Sequence, residues 1–218
     1  MSKDSKAPSE RTQLKRLHER GAYDRETIYR ILDATPLCHV GYLVDDAPFV
    51  TPTMQWREGD RVYWHGSSAS RMLRKSADSE VCLTVTLLDG LVLARSGFHH
   101  SANFRSVMML GLAELVSDPE EKTARLRTFV EGLYPGRWDE LRPMTGQELK
   151  ATTVLSIPIS EASAKVRVGG PVDDEEDYAL PIWSGVIPIS QTLGEPIADP
   201  RNLDGLSLPA YTRKFAIG

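Results

Sequence analysis

The chain has 218 residues, 41% of them hydrophobic and 26% charged, enough apolar side chain to bury a sizeable core and too much for wholesale disorder. Its net charge of −4 argues against a dedicated nucleic-acid binder, which carries a basic balance, and no run approaches the roughly 18–20 apolar residues of a membrane span; neither nucleic acid nor membrane is an expected partner. Two cysteines, Cys38 and Cys82, with no Cys-x-x-Cys pair, exclude a disulfide scaffold and a thiolate zinc site, and they fit a reducing, cytoplasmic setting.

Residues 1–22 hold six Lys/Arg and three Asp/Glu among few apolar positions, which reads as a solvated polar arm without the apolar stretch of a secretory signal. Asp24 is a good N-cap for a short helix with Ile28, Ile31 and Leu32 on one face, ended by Pro36. The period then changes. Leu37–Val44, Phe49–Arg57 and Arg61–His65, separated by Asp45–Pro48 and by Glu58-Gly59-Asp60, predict a three-stranded antiparallel meander. After Gly66–Ser70, Arg71–Lys75 predicts a helix capped by a Ser. Glu80–Leu88 predicts a strand, Asp89-Gly90 a hairpin turn, Leu91–Ser96 its return, and Phe104–Val116 a long strand bulged at Gly111. Ser117–Glu120 reads as a capping box for a helix with Leu126, Phe129, Val130 and Leu133 on one face, ended by Pro135-Gly136; Thr145-x-x-Glu148 caps another. Thr152–Ile159 and Ala164–Val168 are the last clear strands.

Beyond Gly169 comes an acidic run, Asp173–Asp177, expected to be a solvated loop. A Pro-rich tail follows, in which only Leu180–Ile189, with Trp183, is expected to dock firmly. The expected organisation is a polar arm over 1–23, one domain over 24–168 and a C-terminal extension over 169–218 packing on it. Six or seven antiparallel strands with inserted helices favour a mainly β, closed or partly closed small barrel, because closure removes sheet edges.

Three stretches could carry chemistry. In Tyr63–Arg71 a strand ends in a small-residue loop that opens a helix; backbone N–H groups, the Ser hydroxyls and the Arg71 fork suit an anion such as phosphate, while an ordinary Ser-capped turn explains the same spacing. In Leu91–Val107, adjacent His99 and His100 would point to opposite faces of an extended backbone, so a shared metal is not expected, and Arg105 and Ser106 enter a strongly apolar strand. Trp183, between Pro181 and Pro188, either pins the tail or stacks on a planar ligand.

The order of His39-Val40-Gly41, His65-Gly66-Ser67, Asp89–Ser96, Phe104–Val107, Glu161–Arg167 and Trp183–Val186 resembles the pyridoxamine 5′-phosphate oxidase-related flavoproteins, and within them the nitroimidazole-resistance reductase-like branch. The resemblance implies a split β-barrel of antiparallel strands and a homodimer with FMN at its interface. It implies that Val50, Thr51, Pro52, Thr53 and Gln55 pass the flavin ring, and that His65, Gly66, Ser67, Ser70 and Arg71 lie on its ring or phosphate side. Ser106 would reach the flavin from the interface strand, and Trp183 would cover the ring from the partner subunit. Met72 stands where the family has a second phosphate cation, for which Arg74 or Lys75 would substitute. The C-terminal Thr212–Gly218 lacks the family's Arg-Leu-His-Asp-Arg signature, which argues against vitamin-B6 oxidation. The expected function is therefore an FMN-dependent oxidoreductase acting on a small-molecule substrate, with His65 as its catalytic acid–base residue. The alternative is a non-catalytic flavin- or haem-binding protein, with His99 or His100 as axial ligand. Deazaflavin and haem are the alternative cofactors, and no metal-ion site is expected.

Overall fold

The computed structural model describes residues 6–213 and 215–218. Residues 1–5 of the expected arm and Lys214 of the C-terminal stretch lie outside the described residues. The rest of the arm is largely exposed, as expected, but is tied to the domain at a few points. Arg11 bonds both Glu80 and Glu161, Thr12 is buried, and a two-residue strand β1 (Gly21–Ala22) pairs Gly21 with Lys165.

Helix α1 (Arg25–Asp33) starts where expected: Asp24 accepts the Thr27 N–H at 2.8 Å. Its Ile28, Ile31 and Leu32 enter the main core. Strands β2 (Leu37–Val44), β3 (Ala47–Glu58) and β4 (Arg61–Ser67) form the expected meander. Asp45 and Asp46, both at positive φ, make the first turn, a conformation that Asp tolerates. β3 belongs to two sheet segments. Residues 47–54 pair with β2, and Gln55–Glu58 pair with β4, so the chain bends at Gln55. Helix α2 (Arg71–Ser76) buries Met72 and Leu73.

The expected Asp89-Gly90 hairpin does not form. One strand, β5 (Glu80–Leu93), runs straight through, with a register shift between Leu88 and Gly90, and pairs along its whole length with β6 (Ser101–Leu112). Two contacts explain why. The Asp89 carboxylate takes both arms of the Arg105 guanidinium, at 2.9 and 2.7 Å. The smallness of Gly90 admits the tail, since a Cβ there would lie 3.0 Å from Ile187 O. The bulge expected at Gly111 is instead a break at Ala113, whose N–H bonds Ser79 O; β7 (Glu114–Leu115) follows.

Helix α3 (Pro119–Leu133) is capped by Asp118, not by Ser117, and has Pro119 in its first turn. Helix α4 (Gly146–Ala151) carries the expected Thr145–Glu148 capping box. Strands β8 (Thr152–Pro158) and β9 (Ala162–Arg167) complete the barrel, and β10 (Gly185–Pro188) pairs the end of β5. All pairings are antiparallel, in the order β1-β9-β6-β5-β2-β3-β4-β8-β7 with β10 beside β5. The ten strands among the described residues exceed the six or seven expected because β1, β7 and β10 are short pieces without periodicity.

Val40, Val62, Trp64, Leu83, Val85, Met109, Leu155 and Ile157 fill the barrel. A second core, Trp56, Tyr63, Val116, Leu126 and Val154, lies under α3. Asp173 of the acidic run is buried, not solvated: it accepts the Arg95 N–H at 2.8 Å and pairs with the Arg95 guanidinium at 3.0 Å. Among the described residues, no helix is long and apolar enough to cross a membrane.

Candidate functional site

The anion-ready loop follows β4. Ser68 N–H bonds Ala151 O at 2.8 Å, Ser70 N–H bonds Ser67 O at 2.9 Å, and Ser67 Oγ accepts the Ala69 N–H at 3.2 Å. A side chain on Gly66 would meet Leu73 Cδ1 at 3.1 Å, so this glycine lets α2 seat against β4. Ser70 stands at the N-cap in extended conformation, and its hydroxyl makes no cap bond to the first turn. The Arg71 guanidinium lies 4.3 Å above the Phe49 ring. Phe49 stacks on Tyr42 at 5.9 Å, and the Tyr42 and Thr51 hydroxyls bond at 3.2 Å. This chain of contacts brings Ser67, Ser70 and Arg71 beside the Val50–Thr53 stretch of β3. Arg71, Arg74 and Lys75 are exposed. Every ion pair found among the described residues leaves these three cations out. A surface that already holds three positive charges without carboxylates favours an anion.

On β3 the side chains alternate. Val50 and Pro52 face outward and are exposed; Thr51 and Thr53 pair with Val40 and Cys38 and turn toward the barrel. Gln55 is committed to the fold. Its Nε2 donates to Leu32 O and Thr35 O, both at 2.7 Å, which satisfies carbonyls at the end of α1. Its Oε1 is buried without a partner among the described residues.

His65 lies elsewhere. Its backbone is on the strand leading to the loop, but its ring packs under α3, 4.9 Å from Phe129 and 5.8 Å from Trp56. Burial pushes its pKa down from the ordinary value, and Nδ1 is buried without a partner among the described residues. A neutral imidazole among aromatic rings is a packing group, so the catalytic role expected of His65 is not what this placement favours. The side chain of Ser106 faces away from the core. Its Oγ donates to Lys165 O at 3.3 Å, on a strand three places from β3 in the sheet order, roughly 14 Å across at about 4.8 Å per strand. Trp183 precedes β10 at the far end of β5 and is 68% exposed: β10 docks as expected, the indole does not. One chain therefore brings the Ser67–Arg71 loop beside β3 but leaves Ser106 and Trp183 apart from it.

His99 lies in a turn formed by residues 97–99, and His100 links that turn to β6. His99 Nε2 lies 3.4 Å from Asp174 Oδ2. His100 Nδ1 donates to Ser96 O at 2.8 Å, which leaves Nε2 as the base of the ring.

One feature of the site has no motif in the sequence. A half-open cleft of about 310 Å³ lies between the end of α1, β3 and α3, walled by Leu32, Pro36, Trp56, Phe129 and Leu133, with Phe215 at its side. The helical period marks Phe129 and Leu133 as one face of α3, but only the crossing of α3 over β3 creates the space.

An antiparallel sheet bent at Gln55 into two segments, with helices inserted after β4 and β7, defines a split β-barrel. The family described as pyridoxamine 5′-phosphate oxidase matches residues 24–166, and the chain belongs to this family. Two solved structures are similar over nearly the whole chain. The flavocytochrome Anf3 from Azotobacter vinelandii is 56% identical over 98% of this chain and 100% of its own, with a TM-score of 0.95. An FAD and haem binding protein from Mycobacterium smegmatis is 34% identical over 90% of this chain and 97% of its own, with a TM-score of 0.86. A protein from Bacteroides thetaiotaomicron named for 5-nitroimidazole antibiotic resistance shares the fold at 23% identity, over 67% of this chain and 86% of its own, with a TM-score of 0.55. No curated protein matches the sequence.

Proposed function

We propose that this chain is a flavin-binding redox protein of the flavocytochrome kind, acting as a homodimer. The observation that carries the reading is the Ser67–Arg71 loop, where three cations without carboxylate partners stand beside the stretch of β3 that would run along a flavin ring. Ser67, Ser70 and Arg71 would hold the phosphate end, with Arg74 or Lys75 in place of the cation that Met72 lacks. The loop fits the phosphate end that FMN and FAD share. The family resemblance points to FMN and the mycobacterial relative, named for FAD, to the dinucleotide; chromatography of the heat-released flavin separates the two, and deazaflavin from both. Bound flavin supplies hydride and electron transfer; the protein supplies orientation and electrostatics.

The outward face of the sheet supports the dimer. Leu37, Leu43, Val50 and Met54 are exposed there together, and contiguous apolar surface of this kind marks an interface. A second copy would bring its own Ser106 and Trp183 toward a flavin that the first copy grips by the phosphate. The apolar cleft beside Gln55 would take the small-molecule substrate. A cytoplasmic location accords with the free thiols of Cys38 and Cys82.

A specific observation favours haem as a second group. The Nδ1–H of His100 is held by a backbone carbonyl, the arrangement that fixes an axial imidazole and presents Nε2 to a metal, whereas His99 is engaged with Asp174. Both of the more similar structures are of proteins named for haem or cytochrome. His100→Ala is expected to abolish haem uptake and His99→Ala to retain it; the reverse would exclude His100 as ligand.

Titration of flavin-free protein with flavin tests the central reading. Arg71→Ala removes one charge-assisted contact worth about 1.5–3 kcal/mol, so affinity should fall by about 10- to 150-fold. An unchanged affinity would remove the loop from the site.

A further inference from the structure

We infer that residues 190–208 form an exchanged arm that clasps a second copy of this chain. The inference rests on the dimer proposed above and adds a second, separate surface to it.

The arm is pinned at both ends. At its start Ile189 N–H bonds Asp89 O at 3.0 Å, just past the β10–β5 pairing. At its end Tyr211 is buried, donating to Glu140 Oε2 at 2.6 Å and accepting from Arg137 at 2.8 Å, and the last residue bonds Ala34 O through its N–H. Between these anchors every residue from Ser190 to Leu208 is exposed. Such a stretch reaches up to roughly 60 Å at about 3.3 Å per residue.

Among its Gly, Ser and charged positions it carries six apolar ones, Leu193, Ile197, Ala198, Leu203, Leu206 and Leu208, more than a Gly/Ser linker holds. Ile197 is 97% exposed, Leu203 78% and Leu206 66%. Pro196 and Pro200 restrict the backbone, which lowers the entropy lost when the segment is ordered on a surface. Apolar side chains held off their own domain by two firm anchors are built to be covered by something else.

The place where the arm starts selects the occupant. β10 lies against the part of β5 whose Leu88 and Leu91 are exposed, in the same sheet as Leu37, Val50 and Met54. The arm thus leaves from the rim of the face that a second copy would cover. Two-fold symmetry makes the contact reciprocal, each copy giving an arm and receiving one.

The test uses the full-length protein. An Ile197→p-benzoylphenylalanine variant, assembled from isotopically light and heavy subunits, is photo-cross-linked and digested. The expected product joins a light arm to a heavy chain. In parallel, the dimer dissociation constant of the I197D/L203D/L206D variant is measured by sedimentation. An increase of at least tenfold is expected, with an unchanged circular dichroism spectrum because all three side chains are exposed within one chain. Cross-links confined to single chains, or a triple variant that dimerises as tightly as the parent, would overturn the arm and leave the dimer standing. A parent that sediments as a monomer would overturn both.

Discussion

Arg71 is held over Phe49 with no competing carboxylate, while Arg57, also cationic and near an aromatic ring, is saturated by Asp33 and Gly59 O. The difference between the two arginines lies in their neighbours: Arg57 is committed to the fold, and Arg71 is the one proposed to take a ligand. His65 shows the opposite outcome. Burial lowers its pKa, so between that depressed value and the ordinary value of about 6.5 the unfolded chain binds more protons than the folded one. Stability therefore drops as pH falls through this window. His65→Phe is expected to flatten the decline, read as the difference in Tm between parent and variant from neutral pH downward; identical pH profiles would contradict the buried, neutral placement. The strand–loop–helix arrangement around Ser67, Ser70 and Arg71 was legible because strand, small residues and helix follow one another in the sequence. The side of β4 that the His65 ring takes was not legible, because it is set by Trp56 and Phe129, nine and more residues away. The role of Asp173 was likewise hidden, since its partner Arg95 is 78 positions distant.

Strands and helices with local signals form as the sequence predicts: the Asp24 cap, the β2–β3–β4 meander and the Thr145–Glu148 box are set by neighbours in the chain. The Arg142 guanidinium first, and then the Thr145 N–H, hold the Glu148 carboxyl down at about 2. That cap is fully present above the ordinary value of about 4.3 and is lost as pH falls toward 2. Asp118→Ala should remove the α3 cap and cost about 1 kcal/mol in denaturant unfolding; no change would place the cap elsewhere. Asp89-Gly90 carries the strongest short-range hairpin signal in the chain, yet β5 passes through it. Cross-strand pairing to β6 and the Arg105 fork outweigh a turn preference worth little by itself. Gly90→Val, with a Cβ 3.0 Å from Ile187 O, should detach β10 and speed proteolysis of the tail several-fold while the barrel stays folded. Unaltered proteolysis would show that β10 docks without that close approach.

At the scale of the molecule, the sheet bends at Gln55 and places the Ser67–Arg71 loop, the outward apolar face and the cleft around one strand, β3. Barrel architecture was legible from alternation and turn spacing. The bend and the cleft were not, because both depend on α1 and α3 crossing β3 from distant parts of the chain. Ser106 and Trp183 become coherent as site residues only in the proposed dimer, which predicts that flavin retention depends on assembly. Whether the Ser67–Arg71 loop holds a flavin, as proposed, is read from the absorbance spectrum of freshly purified protein, before and after adding FMN, FAD and haem. Flavin bands are predicted, lost selectively in Arg71→Ala, with a Soret band where haem is present; a colourless protein that takes up neither FMN nor FAD would contradict it.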